Sequence, residues 1–128
     1  MSTLNDMTIA MAAEGLTSGE FSSEELVCSH IKAIESLREL NAFITETPEY
    51  AIDQARASDA RRRRGETISL MDGIPVAIKD LFCTKDILTT AGSKILSNFV
   101  PSYESAVTEK LINSGAAILG KSNLDEFA

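Results

Sequence analysis

No apolar run in this 128-residue chain approaches the roughly 20 residues a helix needs to cross a bilayer. The opening Met1-Ser2-Thr3-Leu4-Asn5-Asp6 has neither a basic segment nor the apolar stretch of a secretory leader, so a cytoplasmic protein with no membrane partner is expected. There are only two cysteines, Cys28 and Cys83, and they form neither a metal spacing nor a C-x-x-C pair. In a cytosolic protein they read as reduced thiols. No metal site and no cofactor site is expected in this chain. Histidine occurs once. His30 is either a structural residue beside an apolar helical stripe or a base for Cys83, and nothing local supports the second pairing. Cations are outnumbered, 12 Lys and Arg against 19 Asp and Glu, for a net charge of −7. That balance argues against a broad electrostatic grip on nucleic acid by this segment, though not against a nucleic-acid substrate held by a partner. Internal repeats, low-complexity tracts and flexible linkers are absent too.

The composition, 44% apolar and 24% charged, is ordinary for a soluble domain, and the length suffices for one small core. Ile9, Ala12, Ala13 and Leu16 predict a short helix over residues 6–16. Ser22 and Glu25 have capping-box spacing ahead of Val27, Ile31, Ile34 and Leu37, which predicts a second helix to about Leu40. Ala42-Phe43-Ile44-Thr45 reads as a short strand. Pro48 suits a first helical turn, and a third helix is expected from Glu49 to about Arg64, with Ala51, Ile52, Ala55, Ala57 and Ala60 inward. Its closing Arg61-Arg62-Arg63-Arg64, followed by Gly65, reads as a nucleic-acid patch or as cations that complement a helix C-terminus. The chain's acidity favours the second reading. Residues 81–86 form a turn or loop, and 87–93 a short strand or extended loop. A fourth helix is expected from Ser105 to Ser114, on Ala106, Val107, Leu111 and Ile112, with Gly115 closing it. Ala116-Ala117-Ile118-Leu119 reads as a buried strand.

The stretch Asp72-Gly73-Ile74-Pro75-Val76-Ala77-Ile78-Lys79-Asp80 organises the rest. A short apolar run bounded by Gly and Pro reads as a buried strand of a parallel sheet. Pro75 cannot donate to the ladder, so pairing is expected from Val76. Alternation puts Val76 and Ile78 on one face, Ala77 and Lys79 on the other, and turns Asp80 away from Lys79. With the strand at Ile118 it frames a β–α–β passage, right-handed if the two strands are parallel in one sheet. Open α/β sheets bind ligands beyond the carboxyl ends of their strands. Lys79 stands at such an end. There it either carries its amine to solvent or is desolvated, which lowers its pKa and makes it a general base.

Gly115-Ala116-Ala117-Ile118-Leu119-Gly120-Lys121-Ser122 fits the G-x-x-x-x-G-K-[ST] pattern of a phosphate-binding loop, and so offers a rival reading as a nucleotide-binding module. That loop needs a strand before its first glycine and a helix after its lysine. Here a helix precedes Gly115 and the middle reads as strand, so the match is rejected. Lys121 remains a second strand-end lysine that spacing does not separate from Lys79. Gly120 beside it suggests a close backbone crossing.

Several separated motifs, in order, resemble the amidase-signature family. They are Gly73-Ile74-Pro75-Val76-Ala77-Ile78-Lys79-Asp80, Thr90-Ala91-Gly92-Ser93, and Gly120-Lys121-Ser122-Asn123-Leu124-Asp125-Glu126-Phe127-Ala128. The Asp125-Glu126-Phe127-Ala128 ending and Asn98-Phe99-Val100-Pro101-Ser102-Tyr103 look most like the glutaminase subunits of tRNA-dependent amidotransferases. The resemblance implies an α/β fold: the amino-terminal part of an α/β/α sandwich with a mixed sheet, preceded by helices. Residues 1–128 would be an incomplete part of a single amidase domain, with a helical lead-in to about 66 and the first core strands and helices over about 67–128.

The resemblance also implies a Ser–cis-Ser–Lys triad in which Lys79 accepts, through a bridging serine, the proton of a nucleophilic serine. That serine would attack the side-chain amide of glutamine and release ammonia. Partner subunits B and C would then use ATP and Mg to activate and amidate Glu-tRNA(Gln). The family's two serines lie in a Gly/Ser-rich segment after the Asp-Glu-Phe-Ala stretch, and no serine here has that context. The expectation is a fragment that carries only Lys79, is inactive alone, and exposes strand edges at Val76 and Ile118. A small-molecule amide hydrolase and a truncated non-catalytic module are the alternatives.

Overall fold

The structure, a computed structural model, describes residues 3–128. The first helix, α1 (Ile9–Ser18), starts later than the periodicity suggests. Thr8 caps it by accepting from the Met11 N–H, and Leu4–Asp6 forms a separate 3₁₀ turn. The second, α2 (Ser23–Ser36), has the expected capping box: Ser22 Oγ accepts from Glu25 N at 3.1 Å, and Glu25 Oε2 accepts from Ser22 N at 2.7 Å. It stops at Ser36 rather than Leu40, because the last turn tightens into a 3₁₀ turn at Arg38–Leu40 and Asn41 adopts a left-handed conformation. β1 (Phe43–Glu46), α3 (Pro48–Arg63), β2 (Pro75–Lys79), α4 (Ala106–Asn113) and β3 (Ala117–Ser122) follow. Residues 87–93 form a loop, held by Thr89 N–H on Phe99 O and Ala91 N–H on Asp80 O.

The three strands form one mixed sheet in the order β1-β3-β2. β2 is parallel to β3, as a β–α–β passage through α4 allows, and β1 is antiparallel to it. Two expectations are corrected here. Pairing begins at Pro75 itself, since the ladder bond at that point uses Ile74 O, which accepts from Ala117 N, and asks nothing of the proline nitrogen. The strand at Ile118 is not an edge: β3 is central, and the open edges belong to β1 and β2. The lead-in supplies β1 and the helices that cover β3.

Packing explains the helices. Val27 of α2 and Ala51 and Ala55 of α3 close on Ala117 and Leu119 of β3, with Ile31, Ile34, Phe43 and Ile52 at the margin. Ala12, Leu16, Leu26 and Ile74 make a second cluster. On α3 the inward stripe continues through Ser58, which is fully buried, and Ala57 is exposed. On α4 Thr108 is buried and Val107 exposed, the reverse of the hydrophobic pattern. The Thr108 hydroxyl lies 2.9 Å from Cys83 O and 2.6 Å from Glu104 Oε2, so it bolts α4 to the loop after β2.

The first two arginines of the run have structural partners. Arg61 grips both carboxylate oxygens of Asp72 at 2.6 and 3.1 Å, and Arg62 donates to the Asp72 carbonyl at 3.0 Å. Burial, the largest single influence, would raise the Asp72 pKa; hydrogen bonds led by those from Arg61 and the Ile68 N–H, with the charge of Arg61, together outweigh it and hold this carboxyl below its usual range. The turn leading into β2 is thus fixed to the end of α3.

At Gly120 the backbones of β1 and β3 approach so closely that a methyl group would run into the Thr45 carbonyl oxygen. Gly65 has open space around it. Gly120→Ala should cost about 3 kcal/mol or more, because the added methyl meets backbone that cannot give way, and Gly65→Ala about 1–2 kcal/mol from its left-handed backbone alone; urea melts of the two variants check the ranking. A chain of these 128 residues expressed alone should aggregate through its open β2 edge, and a sharp two-state melt of a monomer would contradict that.

Candidate functional site

Lys79 ends β2, and its alternation is as the sequence predicts. Ile78 is buried, whereas Ala77 and Lys79 are exposed. Among the described residues Lys79 belongs to no ion pair. The amine stands on an open face of the sheet. Across the ladder its partner is Ser122.

The neighbouring Asp80 faces the other way and is completely buried. Its Oδ2 accepts from the Thr90 N–H at 3.0 Å and from the Thr90 hydroxyl at 2.5 Å. Its Oδ1 lies 3.3 Å from Lys121 Nζ, an ion pair without hydrogen-bond geometry. Lys121 is also completely buried. Its ammonium donates to Phe82 O at 2.9 Å and to Thr89 Oγ1 at 2.8 Å. Burial pushes the Lys121 pKa down, and the charge of Asp80 works against that. The structure therefore separates the two lysines that spacing left equal: Lys121 is a buried brace, and Lys79 is uncommitted.

The same residues dispose of the phosphate loop. Gly115, at φ 90°, follows α4, and Ala117–Ser122 is strand. The backbone that would wrap a phosphate is paired on both sides, and the lysine that would reach it is spent inside.

Two of the separated motifs meet in space. The Phe127 N–H donates to Ala91 O at 2.8 Å, and Ser93 Oγ donates to Glu126 Oε1 at 2.7 Å. The close approach that Gly92 permits is made by the chain's own Leu124 carbonyl. His30 and Cys83 do not meet. His30 Nδ1 bonds within α2 to Leu26 O at 2.9 Å, and Cys83 Sγ lies 3.5 Å from the Tyr103 hydroxyl. Sequence reasoning missed Thr89, Thr90 and Thr108. The available signal was the pair of opposite charges, Asp80 and Lys121, each at the end of a predicted buried strand.

An α/β chain with a lysine at the carboxyl end of a parallel strand defines the class of site, and the comparisons define the family. Residues 25–128 match the Amidase family model, and the chain belongs to that family. Over all 128 of its residues it is 57% identical to the A-subunit of the glutamyl-tRNA(Gln) amidotransferase of Paramagnetospirillum magneticum and 56% identical to that of Caulobacter sp. strain K31, covering 26% of each. It thus spans about a quarter of the length of these curated relatives. Among solved structures, the native peptide amidase of Stenotrophomonas maltophilia matches with a TM-score of 0.90 at 31% identity, over 96% of this chain and 26% of that one. A bacterial aryl acylamidase of the amidase-signature family matches with a TM-score of 0.86 at 26% identity, over 94% and 26%. The α/β fold with a mixed sheet is the fold these neighbours share.

The two lysines should separate in stability. Lys121→Ala leaves Asp80 buried without its cation and should cost about 3–5 kcal/mol. Lys79→Ala breaks no ion pair among the described residues and should cost far less than Lys121→Ala. Denaturant midpoints of the two variants, measured in protein of the relatives' full length, check this.

Proposed function

We propose that this chain is part of the glutaminase subunit of a tRNA-dependent amidotransferase and supplies its base, Lys79. The observation that carries the reading is identity of 52–57% with proteins named as the A-subunit of glutamyl-tRNA(Gln) amidotransferase in each of eight comparisons. The Gly73–Asp80 motif sits within that match. Support also comes from position. Among the described residues Lys79 pairs with no carboxylate, and it ends a strand, at the edge where such folds place their chemistry.

In this reading Lys79, neutral, takes the proton of a serine through a second serine, both supplied by the part of the relatives' length that this chain does not span. The activated serine oxygen attacks the glutamine side-chain carbonyl, the C–N bond breaks, and ammonia leaves with a proton returned along the same relay. Water then cleaves the resulting ester and releases glutamate. The walls that desolvate Lys79 belong to the same unspanned part.

Ammonia would pass to partner subunits B and C, which use ATP and Mg to amidate Glu-tRNA(Gln). The residues present here do not fit ATP, since the one loop-like match is a strand with a buried lysine. No metal-binding cluster occurs among the described residues. A net charge of −7 suits a division in which a partner grips the tRNA. No helix among the described residues is long and apolar enough to cross a membrane, and a cytoplasmic location is part of the proposal. The names of the solved neighbours support a second reading, hydrolysis of another amide, at lower identity.

In intact protein assembled with its partner subunits, Lys79→Ala should lower glutamine hydrolysis by about 10²–10⁴-fold while the melting temperature stays unchanged. Undiminished hydrolysis would overturn the assignment. Rapid turnover of peptide amides with none of glutamine would favour the second reading.

A further inference from the structure

The register of β3 holds an irregularity whose effect falls on Lys79. Pro75 pairs with Ala117 and Val76 with Ile118, but Ala77 pairs with Gly120. One residue, Leu119, is inserted. Without it the pairing would continue so that Lys79 lay opposite Lys121. With it, Lys121 lies opposite Ile78, and Lys79 opposite Ser122. A shift of one residue moves a side chain to the other face of a sheet. The bulge therefore carries the Lys121 amine off the face of Lys79 and onto the buried face, where Asp80 points. Gly120 makes this possible, since any side chain there would strike β1 at Thr45.

On the buried face the brace closes around the end of β2. Asp80 is held by its backbone as well as its carboxylate: its N–H donates to Ser122 O at 3.1 Å and its carbonyl accepts from Ala91 N at 2.8 Å. Lys121 holds Phe82 O, and Phe82 N–H in turn donates to the Lys79 carbonyl at 3.1 Å. The residues before and after the Lys79–Asp80 junction are thus pinned from three directions. The other ionisable groups whose charge reaches Lys121 are Cys83, on the loop after β2, and Glu104, ahead of α4. Glu104 is engaged by the Thr108 hydroxyl.

We propose that the bulge at Leu119-Gly120, the Asp80–Lys121 pair and Thr90 form a positioning device for Lys79. It keeps the nearest carboxylate in sequence committed on the far side of the sheet and fixes the strand end that presents the amine. Asp80, Lys121 and Thr90 are positioning residues and touch no reacting atom. The inference rests on the glutaminase reading, in which Lys79 is the base.

The test is the pH dependence of kcat/KM for glutamine hydrolysis by the intact, assembled enzyme, with Lys79→Ala as reference. Lys121→Met keeps the apolar stem and removes the cation. Asp80, released from its partner, then acts on the Lys79 ammonium, and the acid limb of the profile should move up by about one pH unit or more. Thr90→Val removes one hydrogen bond from Asp80 and leaves the ion pair, so the limb should move in the same direction by less. Lys121→Met combined with Asp80→Asn removes both charges and should return the limb to its original place. A purely architectural pair would lower stability and leave the limb where it is. If Lys79→Ala is inactive and neither single variant moves the limb, the positioning inference is overturned and the glutaminase reading stands. If Lys121→Met does not fold, Thr90→Val decides alone, and an unmoved limb overturns the inference. If Lys79→Ala keeps full activity, both fall together.

Discussion

The arrangement depends on one buried ion pair between the ends of two parallel strands. Asp80 and Lys121 are both withdrawn from water. Such a pair adds little stability over an apolar replacement, but losing one member is severe because the other is left charged in the interior. Its value lies in what it specifies. The amine reaches Asp80 only if β3 carries its extra residue, and β3 carries that residue only because Gly120 lets β1 pass closely. Register, bulge and pair select one another. The loop from Phe82 to Thr90 is fastened to the same two side chains, so the surroundings of the Lys79 end are set by polar contacts rather than by apolar packing alone.

The remaining structure supports that junction from below. Alanines at 51 and 55 let α3 lie close on β3, and Arg61 fastens the end of the same helix to Asp72, just ahead of β2. Both ends of the short strand are therefore anchored by buried carboxylates, Asp72 before it and Asp80 after it. One is answered by an arginine and the other by a lysine. Between them the exposed face of β2 is left to Ala77 and Lys79. The chain belongs to the amidase family, and the curated relatives it matches run to about four times its length.

Much of this was legible in the sequence. The capping box, the proline-led third helix, the β–α–β passage and the alternation around Lys79 follow from local chemistry and periodicity, which act over a few residues. What was not legible was set by partners distant in the chain. Ser58 and Thr108 are buried because a hydroxyl suits a close or hydrogen-bonded contact that no pattern within one helix reveals. β1 joined the sheet because Gly120 gave it room, a contact across more than seventy residues. The two strand-end lysines looked alike because a bulge is invisible to a period-two reading, and the bulge decides which face each occupies. Charge balance favours reading the arginine run as helix-end cations; that Arg61 and Arg62 meet Asp72 is evident only in the fold.

The most direct measurement of the central claim is an experimental structure of the intact protein that locates both amines. The account predicts Lys79 Nζ within hydrogen-bonding reach of a serine hydroxyl, about 2.6–3.2 Å, with no carboxylate beside it, and Lys121 still paired with Asp80. A structure with Lys79 in bulk water or locked to a carboxylate, or with Lys121 turned to the serine, would contradict it.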